Sequence, residues 1–139
     1  MGAWGHGHFE DDSAWDFMDE IEEADDPKEV IDAALDTAIN AEYLESDDGN
    51  AVIVAATYVD RQQNGTIFSS PGRDEPLNVD TFPDRHPDVD FSDLKNKAIQ
   101  ALQRLLDDDS ELNELWSDNE ELYPAWKQGV EVLIQRLNK

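Results

Sequence analysis

The sequence predicts an all-α protein: a single compact domain of five to six helices, with one long irregular loop at about 64–87. Helix-capping residues stand at the start of several segments. Within those segments the apolar residues recur every three or four positions, as they do on one face of a helix. A chain of 139 residues is the size of one hydrophobic core, so we expect one helical domain over residues 1–139.

Two capped helices are expected near the start of the chain. Ser13 begins the first, and Asp16 stands three residues later at the capping-box position. In the second, Asp26 is the expected N-cap, Pro27 suits the first helical position and Glu29 follows. The predicted apolar faces are Ala14, Trp15, Met18 and Ile21 in the first helix, and Ile31, Ala34, Leu35, Ala38 and Ile39 in the second.

The segment from Ala51 to Val59 is apolar on all sides, so its periodicity alone does not separate a buried strand from a buried helix. Its β-branched residues favour a strand. The Ala55-Ala56 pair, the capping residues before the segment and the lack of a second strand to pair with it favour a helix. We predict a central buried helix, preceded by a turn over residues 46–50.

Residues 64–87 contain four of the six prolines and two glycines and show no sustained period, so we predict irregular chain here. The segment is either a strap pinned to the body or a functional loop. We favour the strap, whose pinning side chains are Ile67, Phe68, Leu77, Val79 and Phe82.

Three more helical segments are expected after this loop. The first begins near Asp90, with Asp93 at a capping-box position and Val89 and Leu94 as a hydrophobic staple. Ser110 is expected to cap a short helix, and a last helix follows. The predicted apolar residues are Leu94, Ala98, Ala101, Leu102 and Leu105, then Leu112, Leu115 and Trp116, then Leu122, Trp126, Val130, Leu133 and Leu137.

The charge balance constrains the partners of the chain. It has 34 acidic and 10 basic side chains, a formal net charge of −24. Nucleic-acid binding requires clustered Lys and Arg to neutralise phosphates, so we expect no direct binding of DNA or RNA. The charge points toward basic proteins, cations or solubility alone, and three explanations of it stay open: adaptation to high salt, a surface that mimics a polyanion, and a surplus that serves solubility.

The composition also gives an expectation for the cellular compartment of the protein. The chain has no cysteine, which excludes disulfides, thiolate nucleophiles and cysteine zinc sites. It shows neither the basic and apolar start of a secretory signal nor an apolar run long enough to span a membrane. We therefore expect a cytoplasmic protein without membrane contact.

Candidate metal and catalytic residues are few. His6 and His8 alternate across Gly7 and could bind Zn²⁺, Ni²⁺ or Cu²⁺ with a nearby carboxylate, but packing of their rings is the interpretation we favour. His86 lies between Asp84 and Asp88 without a recognisable nucleophile. Neither a calcium-loop pattern nor a phosphate-binding glycine loop is present. We expect no cofactor, no metal and no catalytic residue, and hence a protein that is not an enzyme.

The functional hypothesis is therefore a non-enzymatic acidic protein that binds a basic protein partner, as an inhibitor or immunity protein does. Electrostatic attraction would give fast association and partner choice. Two alternatives stay open: a salt- or stress-adapted protein with no specific partner, and a metal-dependent protein that uses His6 and His8. The predicted partner-binding surface consists of Asp47, Asp48, Asp107, Asp108 and Asp109.

Several runs of the sequence resemble one family. They are the opening Met1-Gly2-Ala3-Trp4-Gly5, the run Glu42 to Glu45, Ala98 to Leu106, Ser110 to Trp116, and the closing Trp126 with Arg136-Leu137. In this order they are similar to an uncharacterised, mainly bacterial family catalogued as domain of unknown function 4259, over nearly the whole chain. The resemblance implies no activity and no catalytic residue. The chain departs from the family pattern at His8, where members often have Pro, and at Thr57, where an acid is common.

Overall fold

The computed structural model describes residues 12–66, 68, 78–107 and 109–138, and within them it contains seven α-helices and one 3₁₀ turn at Ser92–Leu94. The all-α prediction is confirmed. The helix count is higher than predicted because one helix lies inside the expected irregular loop. The helices are α1 (Asp12–Glu23), α2 (Pro27–Asn40), α3 (Ser46–Asn64), α4 (Asn78–Arg85), α5 (Lys95–Leu105), α6 (Glu111–Ser117) and α7 (Tyr123–Leu137).

Helix α3 is the centre of the fold. Every residue from Val52 to Asp60 is buried, and α1, α2, α5 and α7 all pack on this helix. The prediction of a central buried helix is confirmed, and its all-round apolar sequence reflects burial on every side.

The turn predicted over residues 46–50 was wrong, because α3 already begins at Ser46. Its first turn carries Asp47 and Asp48, whose charges interact favourably with the helix dipole. Glu111 from α6 accepts a hydrogen bond from the Ser46 amide at 2.8 Å. Gly49 allows a close approach, since a Cβ there would stand 2.9 Å from Cδ1 of Leu105.

The start predicted for α1 and the cap predicted for α2 are confirmed, but Ser13 is not the cap of α1, since it lies within that helix. Helix α1 begins at Asp12 and buries Ala14, Met18 and Ile21. The Asp26 carboxylate accepts a hydrogen bond from the Glu29 amide at 3.2 Å, and Pro27 opens α2.

Helix α4 corrects the prediction of irregular chain over the whole of 64–87. Proline usually breaks a helix, yet Pro83 lies inside this eight-residue helix. Val79 and Phe82 are buried, and the Phe82 ring meets the Tyr58 ring edge-on at 5.1 Å between centroids. This apolar contact with α3 explains why the segment is helical. Residues 67 and 69–77 lie outside the described residues, so the strap prediction there stays a prediction.

The start of α5 also differs from the prediction. The 3₁₀ turn precedes it, so α5 begins at Lys95 and not near Asp90, whose carboxylate accepts from the Ser92 amide at 2.9 Å. Asp93 instead pairs with Lys28 at 2.9 Å. The predicted cap of α6 is confirmed, since Ser110 Oγ accepts from the Asn113 amide at 3.3 Å.

One backbone contact connects the start of α3 to the α5–α6 turn. The Leu44 amide donates to the Asp109 carbonyl, and the Glu111 amide donates to the Leu44 carbonyl, both at 2.8 Å. Leu44 and Ser110 thus form an isolated parallel bridge. The membrane prediction is consistent with the helices described, none of which is both long and apolar enough to cross a bilayer.

Candidate partner-binding surfaces

The first predicted acidic stretch lies in the first turn of α3. Asp47 is exposed, and its Oδ1 accepts a hydrogen bond from Ser13 Oγ on α1 at 2.7 Å. Asp48 is half-buried. Both side chains line a groove between α1 and α2, so this stretch belongs to a three-helix surface.

The second predicted stretch lies in the turn between α5 and α6. Asp107 and Asp109 are exposed, and the Asp107 carboxylate is 3.9 Å from the Arg104 guanidinium. Asp108 lies outside the described residues. The Leu44 bridge places this turn near the start of α3, but Asp107 lines a different surface from Asp47 and Asp48.

The groove between α1 and α2 has a volume of about 510 Å³. Helices α1 and α2 both pack more extensively on α3 than on each other, which leaves a valley between them with α3 below. We call this valley the α1–α2 groove. Its lining is apolar at Phe17, Val30, Ala33, Ala34 and Ala51, polar at Ser13 and Thr37, and acidic at Asp16, Glu20, Asp47 and Asp48.

Two exposed apolar side chains lie in the segments that adjoin the α5–α6 turn. Tyr43 is 45% and Leu115 is 40% exposed, the highest values among large hydrophobic residues of the described chain. The Tyr43 hydroxyl donates to the Glu114 carboxylate at 3.1 Å, and Leu115 follows Glu114 on α6. We call Tyr43, Glu114 and Leu115 the Tyr43 patch. The sequence interpretation had placed Leu115 on the apolar face of α6, and its exposure corrects that assignment.

Several basic side chains are used in contacts within the protein. Lys97 contacts Asp32 and also pairs with Asp36 at 3.0 Å. The hydrogen bond to Asp32 is the main reason that the pKa of Lys97 is raised. Likewise, the hydrogen bond from Lys28 lowers the pKa of Asp93.

Arginine side chains are used in the same way. Arg104 donates to the carbonyls of Ala41 and Glu42 at 3.0 Å, and Arg85 pairs with Glu22. Arg61 donates to the Asp80 carbonyl at 2.9 Å. The positive charge of these residues is therefore directed to the protein itself, while many carboxylates face solvent.

A buried carboxylate joins α3 to α7. Asp60 is fully buried, and its Oδ2 accepts from Nε of Arg136 at 2.7 Å. Its Oδ1 accepts from Asn64 at 2.7 Å and from Thr66 at 3.1 Å. The Arg136 guanidinium also lies over the Phe68 ring, 5.7 Å from its centroid. Among the described residues, these donors come from α3, from the residue two positions after it and from α7, so the cluster links these segments.

Of the remaining sequence candidates, His86 is the one that lies in the described part of the chain. The His86 ring stacks on Phe82 with centroids 4.5 Å apart, which is a packing role. His6 and His8 lie outside the described residues, so the metal alternative stays a prediction. Within the described ranges, no three His, Asp or Glu side chains are grouped as a metal site requires.

Thr57 stands where the resembled family commonly has an acid. It is fully buried, and its hydroxyl donates to the Val54 carbonyl at 2.6 Å. The buried hydroxyl at this position therefore has a hydrogen-bond acceptor within its own helix.

The sequence interpretation did not find the α1–α2 groove or the Tyr43 patch. Asp16 and Glu20 at i and i+4, with the small Ala33 and Ala34 on the next helix, were the available signal for the groove. The groove results from the packing of α1 and α2 on α3, and the periodicity of the sequence does not specify that packing. Nothing in the pattern around Tyr43 indicated that its ring would stay exposed.

Comparison with known proteins identifies the family. Neither the curated proteins nor the solved structures contained a match to this chain. A family model described as Domain of unknown function (DUF4259) matches residues 2–129. This match covers most of the chain and agrees with the resemblance seen in its motifs. The chain therefore belongs to the DUF4259 family.

Proposed function

We propose that this chain is a non-enzymatic acidic protein that binds a basic protein partner, in the manner of an inhibitor or immunity protein. The observation that carries the proposal is the Tyr43 patch beside the acidic α5–α6 turn. Exposed Tyr and Leu side chains supply apolar contact area, and the carboxylates around them supply charge.

This arrangement matches the anatomy of protein interfaces. Binding energy concentrates in a few central side chains, with Tyr among the favoured types, while rim charges mainly govern the rate of association. Tyr43 is the candidate anchor, and Asp107 and Asp109 are the candidate rim. Internal use of the basic side chains supports a basic partner, because the exposed charge that remains is mostly negative.

The test begins with recovery of the partner from the host by co-purification, followed by measurement of its association and dissociation rates. The variant Asp107→Asn/Asp108→Asn/Asp109→Asn should slow association severalfold at low salt and change dissociation little. Tyr43→Ala should weaken binding at least about fivefold, mainly through faster dissociation.

A matched control removes three charges elsewhere. Asp84, Asp88 and Glu131 are exposed and lie outside both surfaces. The variant Asp84→Asn/Asp88→Asn/Glu131→Gln therefore changes the net charge equally. If it slows association as much as the α5–α6 variant does, the turn has no specific role. Recovery of no specific partner, or of an acidic one indifferent to these changes, would contradict the proposed function and favour the salt-adaptation alternative.

A further inference from the structure

The walls of the α1–α2 groove present side chains at helical spacing. Asp16 and Glu20 lie at i and i+4 on α1. On α2, the lining residues are Val30, Ala33, Ala34 and Thr37, at i, i+3, i+4 and i+7. Residues at these intervals share one helix face, and seven residues extend about 10 Å along the axis. The groove therefore offers two helical ridges over about two turns.

The small residues of the lining permit close approach of another helix. Ala33 and Ala34 are small, and Ala51 of α3 lines the groove beneath them. Distances between packed helix axes are about 8–10 Å and depend on the side chains at the contact. With Phe17 at one wall, the lining can bury apolar side chains spaced along one face of a docked helix.

The charge of the lining determines the chemistry of that helix. The groove has carboxylates at Asp16, Glu20, Asp47 and Asp48, and the described part of the chain contributes no Lys, Arg or His to its lining. Four like charges around one groove repel each other, and a cationic ligand relieves this repulsion. An anionic or wholly apolar segment would not relieve the repulsion between these carboxylates.

We propose that the α1–α2 groove binds a cationic amphipathic helix of a protein partner. The apolar side of that helix contacts Phe17, Ala33 and Ala34, while its Lys or Arg side chains pair with the four carboxylates. Amphipathic helices are recognised in grooves through anchors at i, i+3, i+4 and i+7. This inference rests on the proposed function and assigns a second contact region to it, apart from the Tyr43 patch.

The test uses a fluorescein-labelled synthetic helix of about 18 residues, five turns, built from Leu and Lys with Leu at i, i+3, i+4 and i+7. Fluorescence anisotropy with the full-length chain should show saturable 1:1 binding at low ionic strength, weakened by added salt. Asp16→Asn/Glu20→Gln should weaken it about three- to tenfold, from two lost charge pairs. The control Asp84→Asn/Asp88→Asn loses the same charge outside the groove and should change affinity less than about twofold.

A second variant tests the apolar lining at unchanged net charge. Ala33 is exposed on α2, so Ala33→Trp should fill the groove without disturbing the core. We expect it to weaken peptide binding about tenfold or more while the melting temperature stays close to that of the parent chain.

Three results would overturn the groove proposal: absence of saturable binding, equal loss in the groove and control variants, or a dimer of the parent chain that Ala33→Trp converts to a monomer. The last result would make the groove a self-association face. None of them bears on the host partner, whose dependence on Tyr43 and the α5–α6 turn tests the proposed function separately.

Discussion

Removing either partner of the ion pair between Asp60 and Arg136 should destabilise the protein, but the two losses should differ in size. Asp60 is fully buried, whereas the Arg136 side chain is 27% exposed. Arg136→Met keeps an aliphatic stem for contact with Phe68 but leaves a buried carboxylate without its cation. Removal of one partner of a buried pair typically costs about 3–5 kcal/mol when the remaining charge stays buried.

The opposite change should cost less. Asp60→Ala leaves Arg136 without its partner, but the guanidinium can turn toward solvent. Asn64 and Thr66, the other donors, are exposed and half-buried respectively, so water can reach them. The lost hydrogen bonds then cost about 1–3 kcal/mol. The double variant Asp60→Ala/Arg136→Met should be more stable than Arg136→Met alone, because it no longer contains an unpaired buried charge.

Urea unfolding followed by circular dichroism and tryptophan fluorescence provides the free energies of unfolding. The four proteins form a double-mutant cycle that isolates the coupling between the two residues. If Asp60→Ala is the costlier single change, or if the double variant loses the sum of the two single losses, the reasoning from burial is refuted.

Three further predictions concern the core, the charge and a buried tyrosine. Val54 is fully buried in α3, so Val54→Asp should cost about 3–5 kcal/mol in urea unfolding, and a loss below about 1 kcal/mol would mean that the site admits water. The net charge is −24 and the radius of gyration is near 14 Å, so many like charges lie within about two Debye lengths of one another. Salt screens their repulsion, so the melting temperature should rise with NaCl, and a flat response would show that the charges are too far apart to matter. Burial, aided by a hydrogen bond to Glu22 at 2.7 Å, raises the pKa of Tyr58 above its ordinary value. The unfolded chain then loses this proton first, so stability should fall as pH rises above about 10, and the fall should be smaller in Tyr58→Phe; equal slopes in unfolding experiments would contradict this assignment.

The elements predicted best from the sequence were those in which local signals and packing agree. Asp26, Pro27 and Glu29 marked the start of α2 because capping is a contact between residues close in sequence. Helix α3 was predicted despite its ambiguous periodicity, but its start was placed too late. The Ser46 amide at the start of α3 donates to the carboxylate of Glu111, 65 residues away, and such a contact leaves no local signal.

Helix α4 and the candidate surfaces also depend on tertiary contacts that leave no local signal in the sequence. Pro83 is a local signal against a helix, and the buried contacts of Val79 and Phe82 outweigh it. The acidic residues Asp47 and Asp107 were recognised by composition, but their separation onto two surfaces depends on how the helices pack. Exposure of Tyr43 likewise follows from tertiary structure alone.

The central position of α3 has a consequence for synthesis of the chain. The middle of this helix, Ala51 to Val59, is apolar on all sides, and one of the neighbours of α3 is α7, the last helix of the described chain. During translation the surface that receives α7 stays uncovered until residues 123–137 have left the ribosome. Apolar surface exposed in partly folded chains promotes aggregation. The acidic residues act throughout this interval, because nascent chains that carry many negative charges repel one another before their cores are complete.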